Sequence, residues 1–237
     1  MGTTTNGSEG AIRVTERPDW RRLAAWALIA IPLIALGFVS YAMSSSTSSS
    51  KEALFNWSFA ANSVVLYGIW IALSLAISNK RPELRAFRLP RIGWGAIGGL
   101  GLLAVAATLV ASAVVNALGG HPGREQQLLS GHWQSGRLAP FIASVLVLTV
   151  LAPLAEELFV RGLGFSLFSP FGRAAAIAVP ALAWALMHGL PAAIFPLFVF
   201  GIALGYLRAR SDSVIPGMIV HGLYNGLAVA LAYAVFT

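Results

Sequence analysis

Apolar segments of membrane-spanning length recur along almost the whole of this 237-residue chain. A helix needs about 20 residues to cross the ~30 Å hydrocarbon core of a bilayer. The pattern therefore predicts an all-α fold, a polytopic transmembrane helical bundle with about seven (six to eight) spans. The predicted spans are 23–43, 58–78, 95–118, 139–168, 174–189, 191–207 and 213–236.

Composition excludes the soluble classes of protein. Hydrophobic residues make up 57% of the chain and charged residues 11%, against about 45–50% and about 25% in soluble domains. A soluble globule of this length cannot bury so much apolar surface, and a disordered chain would be far more polar. There is no cysteine, which also excludes a secreted disulfide scaffold.

Basic residues lie mainly on one side of the alternating spans. With the N-terminus inside, twelve of the 16 Lys and Arg residues fall in inside segments and three in outside loops, while Arg161 lies within a span. Cytoplasmic loops are enriched in Lys and Arg. We therefore expect a multi-pass protein of the cell membrane with a cytoplasmic N-terminus. The net charge of +7 then reflects topology, and no nucleic-acid partner is expected.

Ionisable residues within spans are costly and are functional candidates by default. Two adjacent acids, Glu156 and Glu157, lie in one predicted span, and His188 and His221 lie in later ones. Measured from the predicted turns near 169–172 and 210–213, Glu156 lies ~21 Å along its helix, His188 ~27 Å and His221 ~15 Å. Asn225, four residues after His221, lies at ~21 Å. These side chains therefore share a depth within one or two helical turns.

The two adjacent glutamates cannot do the same work, since successive helical residues point about 100° apart. Glu157 and Arg161 have the i,i+4 spacing of an ion pair with the acid first, which neutralises Glu157. Glu156 has no such partner on its own helix and can act as a general base. His188, from the facing helix, is the expected partner of Glu156.

His221 and Asn225 share one helix face, and both can donate hydrogen bonds to a developing oxyanion. A structural role is the alternative for each of these residues. A membrane Glu–Arg pair, a histidine on an apolar helix or an asparagine between helices can each serve packing alone. Trp184 is typical of core or lipid-facing positions.

The three motifs together resemble the signature of the CAAX prenyl endopeptidase-like and bacteriocin-processing (CPBP) intramembrane proteases. They are Glu-Glu-x-x-x-Arg, aromatic-x-x-x-His and His-x-x-x-Asn, in that order on successive predicted helices. The matching residues are Glu156, Glu157, Arg161, Trp184, His188, His221 and Asn225. Trp184 stands where the family usually has phenylalanine.

The resemblance implies that Glu156 and His188 activate water and that His221 and Asn225 stabilise the oxyanion. Glu157, Arg161 and Trp184 then support the site. No cofactor is expected, because the chain has no His-Glu-x-x-His helix. A zinc site of Glu156, His188 and His221 is the alternative, since three protein ligands plus water form a catalytic zinc site.

The resemblance also implies a division of the chain. Residues 1–22 are expected to form a polar and basic cytoplasmic tail, 23–137 the N-terminal transmembrane helices and loops, and 138–237 the catalytic transmembrane core.

The leading functional hypothesis is an intramembrane, glutamate-dependent, CAAX protease-like endopeptidase. Its partners would be the lipid bilayer and a membrane-associated peptide or protein substrate. A non-catalytic membrane scaffold or immunity-type binding protein is the alternative. A proton-coupled transporter is disfavoured, because the repeated halves or paired interrupted helices of transporters are not found.

Overall fold

Helices form the architecture of the part of the chain that the computed structural model describes, residues 17–44, 52–78, 87–120 and 133–235. Within those ranges there is no strand, as the sequence predicts. The helices are α1 (Trp20–Ser44), α2 (Trp57–Ser78), α3 (Trp94–Ala117), α4 (Leu138–Phe171), α5 (Arg173–Met187), α6 (Ile194–Ser211) and α7 (Ile215–Val235). Single 3₁₀ turns precede α2 and α4.

Six of these helices are long and apolar enough to cross a membrane, and the chain is a multi-pass membrane protein. The exception is α5, whose 15 residues rise only ~22 Å. The segment that connects α5 to α6 is also longer than predicted, because α6 begins at Ile194 rather than at residue 191. Gly189 has a left-handed φ of 64° and Pro191 has no N–H to continue a helix, which accounts for the break.

The N-terminal region agrees with the predicted tail only in part. Residues 1–16 of that tail lie outside the described residues. The helix α1 begins at Trp20, inside the predicted tail and three residues before the predicted span.

One end of the bundle gathers residues from the segments predicted to face inside. The Arg22 Nε donates to the carbonyl of Ile77, which joins the start of α1 to the end of α2. Asp212, after α6, forms salt bridges with Arg88 and Arg91, which precede α3. The helix ends that the sequence predicts to face inside therefore lie together at this end of the bundle.

The opposite end is closed by an aromatic cluster. Phe55 stacks on Phe141 with ring centroids 4.9 Å apart, and Tyr233 meets Phe141 edge to face. Arg137 Nη1 donates to Asn56 Oδ1 at 2.8 Å. Arg137, predicted to be outside, thus lies at the end opposite to the inside arginines.

The centre of the bundle is α4, which contacts α2, α5, α6 and α7. Its residues 155–165 are all buried, so every face of this stretch meets another helix. A side chain on this part of α4 therefore points into protein rather than into lipid.

Two stretches of α4 are π-helical, Val147–Leu151 and Leu158–Gly164. In the first, the Ala152 N–H donates to Val147 O, five residues earlier. The same spacing would pair Leu148 O with residue 153, but Pro153 has no N–H. Leu148 O is thus free to accept a hydrogen bond from another helix. Single-turn π segments are frequent at functional sites.

Small residues bring α5 and α6 into close contact. A Cβ added at Gly201 of α6 would lie 3.0 Å from Ala181 Cβ, and one at Gly205 would lie 2.9 Å from a methyl group of Ile177. Close approach through small residues is the usual means of packing helices in membranes. It places the C-terminal end of α5 against the buried centre of the bundle.

The predicted orientation is testable because the chain has no cysteine of its own. Leu89 and Leu118 are 78% and 82% exposed, and they lie at opposite ends of α3. We expect Leu89→Cys to react with an impermeant maleimide only after cells are opened, and Leu118→Cys to react in intact cells. Each variant is the matched control for the other, and the reverse pattern would overturn the cytoplasmic N-terminus.

Candidate active site

Glu156 lies on α4 and is held by neutral hydrogen-bond donors. The indole Nε1 of Trp184, on α5, donates to Glu156 Oε2 at 2.5 Å. The hydroxyl of Tyr67, on α2, donates to Glu156 Oε1 at 3.4 Å. Glu156 is 8% exposed, and no arginine or lysine within the described ranges forms a salt bridge with it. The expectation that it finds no partner on its own helix is correct.

Glu157 is fully buried and is neutralised as predicted. Arg161 Nη1 donates to Glu157 Oε1 at 2.8 Å. His221 Nδ1 lies 3.2 Å from the same oxygen. The other oxygen, Oε2, has no hydrogen-bond partner, and a Cβ at Gly217 would come within 2.7 Å of it. The glycine therefore provides the space that the carboxylate occupies.

Arg161 connects α4 to its neighbours. Its Nη2 donates to the carbonyl of Gly201 on α6 at 3.1 Å, and its guanidinium carbon lies 4.9 Å from the ring centre of Trp184. Its own carbonyl, in the second π segment, accepts a hydrogen bond from Arg208 Nε. Arg161 thus neutralises Glu157 and also holds α6 against α4.

His188 follows the last residue of α5, beside a tight bend. Gly189 has a positive φ, and a Cβ there would lie 2.0 Å from the Gly37 backbone of α1, so only glycine fits. His188 Nδ1 lies 2.8 Å from the Trp184 carbonyl. Since a carbonyl only accepts, His188 donates from Nδ1, and in the neutral imidazole Nε2 is then an acceptor.

The predicted direct pairing of Glu156 with His188 is wrong in this structure. His188 bonds the backbone of Trp184, while Glu156 bonds the side chain of the same residue. The two candidates are therefore connected through Trp184. The helical spacing could not show this, because it does not specify which atoms of Trp184 each side chain contacts.

His221, on α7, lies between the two glutamates. Its Nδ1 faces Glu157, and its Nε2 lies 3.8 Å from Glu156 Oε2. Because Glu157 is paired with Arg161 and accepts only, His221 must donate from Nδ1. The ring of His221 also meets the faces of Trp184 and Phe200 at nearly right angles, so its orientation is fixed.

Asn225 lies one helical turn beyond His221 and joins two helices. Its Nδ2 donates to Leu148 O at 2.9 Å. This is the carbonyl left without a partner by Pro153, so the asparagine supplies the missing donor. An amide nitrogen has two N–H groups, and one of them is used here.

The zinc alternative receives no geometric support from the described residues. No group of three or more His, Cys, Asp or Glu side chains is arranged there to hold a metal ion. Within the proposed ligand set, Glu156 and His188 each bond Trp184, through its indole N–H and its backbone carbonyl respectively. These residues as placed do not form a three-ligand site.

Sequence reasoning missed Tyr67 and underestimated Trp184. The tyrosine is a polar group in a predicted span, but nothing in the sequence relates α2 to α4. Trp184 was expected to support the site without a stated contact, whereas its N–H bonds Glu156. A buried indole N–H usually has a hydrogen-bond partner, so a tryptophan in a predicted span was the signal that could have indicated this bond.

Comparison with known proteins gives one family match, in the C-terminal part of the chain. Residues 138–227 match the Rce1-like family, described as type II CAAX prenyl endopeptidase Rce1-like. This segment is therefore similar to the type II CAAX prenyl endopeptidases of that family. The match contains all seven motif residues and confirms the family suggested by the sequence. No curated protein and no solved structure matches the chain. Tyr67 lies outside the matched segment.

The buried ion pair predicts a pattern of stabilities. Glu157→Gln leaves Arg161 without its counter-charge, and breaking a buried pair from one side typically costs about 3–5 kcal/mol. We expect a loss of this order for Glu157→Gln, and a related loss for Arg161→Gln. The double variant should recover part of the stability, because no lone charge remains. Thermal melts in detergent of the four proteins measure this.

Glu52→Gln provides the control for these melts, because Glu52 is exposed and lies at the aromatic end of the bundle. It should melt with the wild-type protein. Strictly additive losses in the double variant would contradict the pairing.

Proposed function

We propose that this protein is an intramembrane, glutamate-dependent endopeptidase of the CAAX protease-like type. The observation that carries the proposal is the environment of Glu156. This buried carboxylate receives only neutral donors, whereas the adjacent Glu157 is paired with an arginine. An acid without a counter-ion retains lone pairs with which to accept a proton. Its neighbourhood, which contains Trp184 and His221, falls in the segment matched by an endopeptidase family.

Water activation is assigned to Glu156 and His188. The carboxylate of Glu156 and the unprotonated Nε2 of His188 are both acceptors. A water molecule that donates to both keeps its lone pair for attack on a peptide carbonyl. The proton taken from water is then available for the leaving amine.

Stabilisation of the oxyanion is assigned to His221 and Asn225. His221 uses its Nδ1 proton toward Glu157, so Nε2 donates to an oxyanion only in the imidazolium form. Asn225 has one N–H left after bonding Leu148 O. Donors fixed in advance by other contacts are effective in stabilising an oxyanion.

The substrate class follows from the surroundings of the site. Glu156 and His221 lie among membrane-spanning helices, so the scissile bond must reach them from within or beside the bilayer. A membrane-associated peptide or protein meets that requirement, with or without a prenyl group. The cell membrane, with the N-terminus in the cytoplasm, is the proposed location.

A non-catalytic scaffold is the second candidate, and the contacts of Asn225 favour it. The hydrogen bond to Leu148 O gives Asn225 a structural role in joining α7 to α4, which a scaffold would also need. Catalysis and scaffolding are separated by removing the proposed base without changing the fold.

Glu156→Gln is that test, because it retains the size of the side chain and its ability to accept from Trp184. We expect cleavage to fall about 10²-fold or more, with a normal melting temperature. The readout is mass spectrometry of new peptide termini in membranes from cells expressing wild-type or Glu156→Gln protein. Glu52→Gln is the matched control and should leave the termini unchanged. Identical termini in all three samples would overturn the protease proposal in favour of the scaffold.

Metal independence is the second expectation from this site. Because proton transfer is assigned to protein side chains, activity on a peptide identified by the termini experiment should survive prolonged dialysis against strong chelators. Loss of activity that only added zinc restores would instead make Glu156, His188 and His221 metal ligands.

A further inference from the structure

Trp184 contacts both members of the proposed water-activating pair. Its backbone carbonyl accepts from His188 Nδ1 at 2.8 Å, and its indole Nε1 donates to Glu156 Oε2 at 2.5 Å. The first contact is made by the main chain and is available to any residue. The second needs an N–H on the ring, which the phenylalanine usual at this position in the family does not have.

The indole is held in place from several sides. Trp184 is 1% exposed, and the Arg161 guanidinium lies over its ring. The rings of His188 and His221 meet it edge to face, with centroids 4.7 Å and 5.4 Å away. A ring restrained in this way keeps its N–H directed at one oxygen of Glu156.

The two oxygens of Glu156 are not equivalent. Oε2 receives the short bond from Trp184 and faces His221 Nε2. Oε1 receives only the Tyr67 hydroxyl at 3.4 Å, longer than the 2.5–3.0 Å usual for such bonds. Oε1 is therefore the oxygen with more capacity to accept from another donor.

We propose that Trp184 is a positioning residue that fixes Glu156 through Oε2 and so makes Oε1 the oxygen that accepts the proton of the catalytic water. This inference rests on the proposed function and extends it. It assigns to Trp184 a directed hydrogen bond in addition to its place in the wall of the site. It also places the attacking water on the side of Glu156 that faces α2 and Tyr67.

The contact itself is tested without any substrate. Protein labelled with ¹⁵N at the tryptophan indoles gives one N–H signal for each of its seven tryptophans, and Trp184→Phe identifies the signal of Trp184. We expect Glu156→Gln to shift that signal upfield, because a neutral amide oxygen is a weaker acceptor than a carboxylate. The signal of Trp26, which donates to Phe159 O, should stay in place. An unmoved Trp184 signal would overturn the proposal whether or not the protein is a protease.

The consequence for catalysis is tested with two tryptophan variants. Trp184→Phe keeps a ring and removes the N–H that bonds Glu156. Trp70→Phe is the matched control, since Trp70 is also buried and its Nε1 has no hydrogen-bond partner among the residues that the structure describes. On a peptide cleaved by the wild-type protein, we expect kcat to fall about tenfold in Trp184→Phe with KM unchanged. Trp70→Phe should retain the wild-type kcat.

Melting temperatures separate positioning from folding. Both variants should melt close to the wild-type protein. A wild-type kcat in Trp184→Phe, despite the indole shift in Glu156→Gln, would show that the bond is only structural and would overturn the proposal. Equal losses of kcat in both variants would overturn it as well, since the N–H of Trp70 has no partner to lose.

Discussion

The buried charge of Arg161 is the constraint on which the centre of this bundle depends. A guanidinium in the membrane interior must be neutralised where it lies, and Glu157, one turn earlier on α4, does so. The remaining donors reach Gly201 O on α6, and Glu157 in turn contacts His221 on α7. One ion pair therefore fixes three helices relative to one another.

The π segments of α4 add a second set of fixed contacts. Three carbonyls of these segments each accept a side-chain hydrogen bond from another helix. Asn225 bonds Leu148 O, Trp26 bonds Phe159 O and Arg208 bonds Arg161 O. Each donor comes from a different helix. The irregular backbone of α4 thus directs α1, α6 and α7 to defined positions around Glu156.

Much of this arrangement could be predicted from the sequence, because span lengths and charge positions follow from the bilayer. The shared depth of Glu156 and His221 and the pairing of Glu157 with Arg161 came from helical rise and spacing. The Glu156–His188 contact was predicted wrongly, because helical spacing gives the depth of a residue but does not show that Trp184 supplies the hydrogen-bond partner of each side chain. Tyr67 was missed because contacts between helices distant in the chain depend on packing that spacing does not encode.

Glu156 and Glu157 are adjacent in the chain, but they differ in role because their surroundings differ. The carboxylate of Glu157 is paired with a cation through one oxygen and is fully buried against Gly217, so it is closed to solvent. The carboxylate of Glu156, turned about 100° away, meets α2 and α5, which offer only a hydroxyl and an indole N–H. Neutral donors orient a carboxylate without cancelling its charge. Glu157 therefore stabilises the bundle, whereas Glu156 remains available for proton transfer.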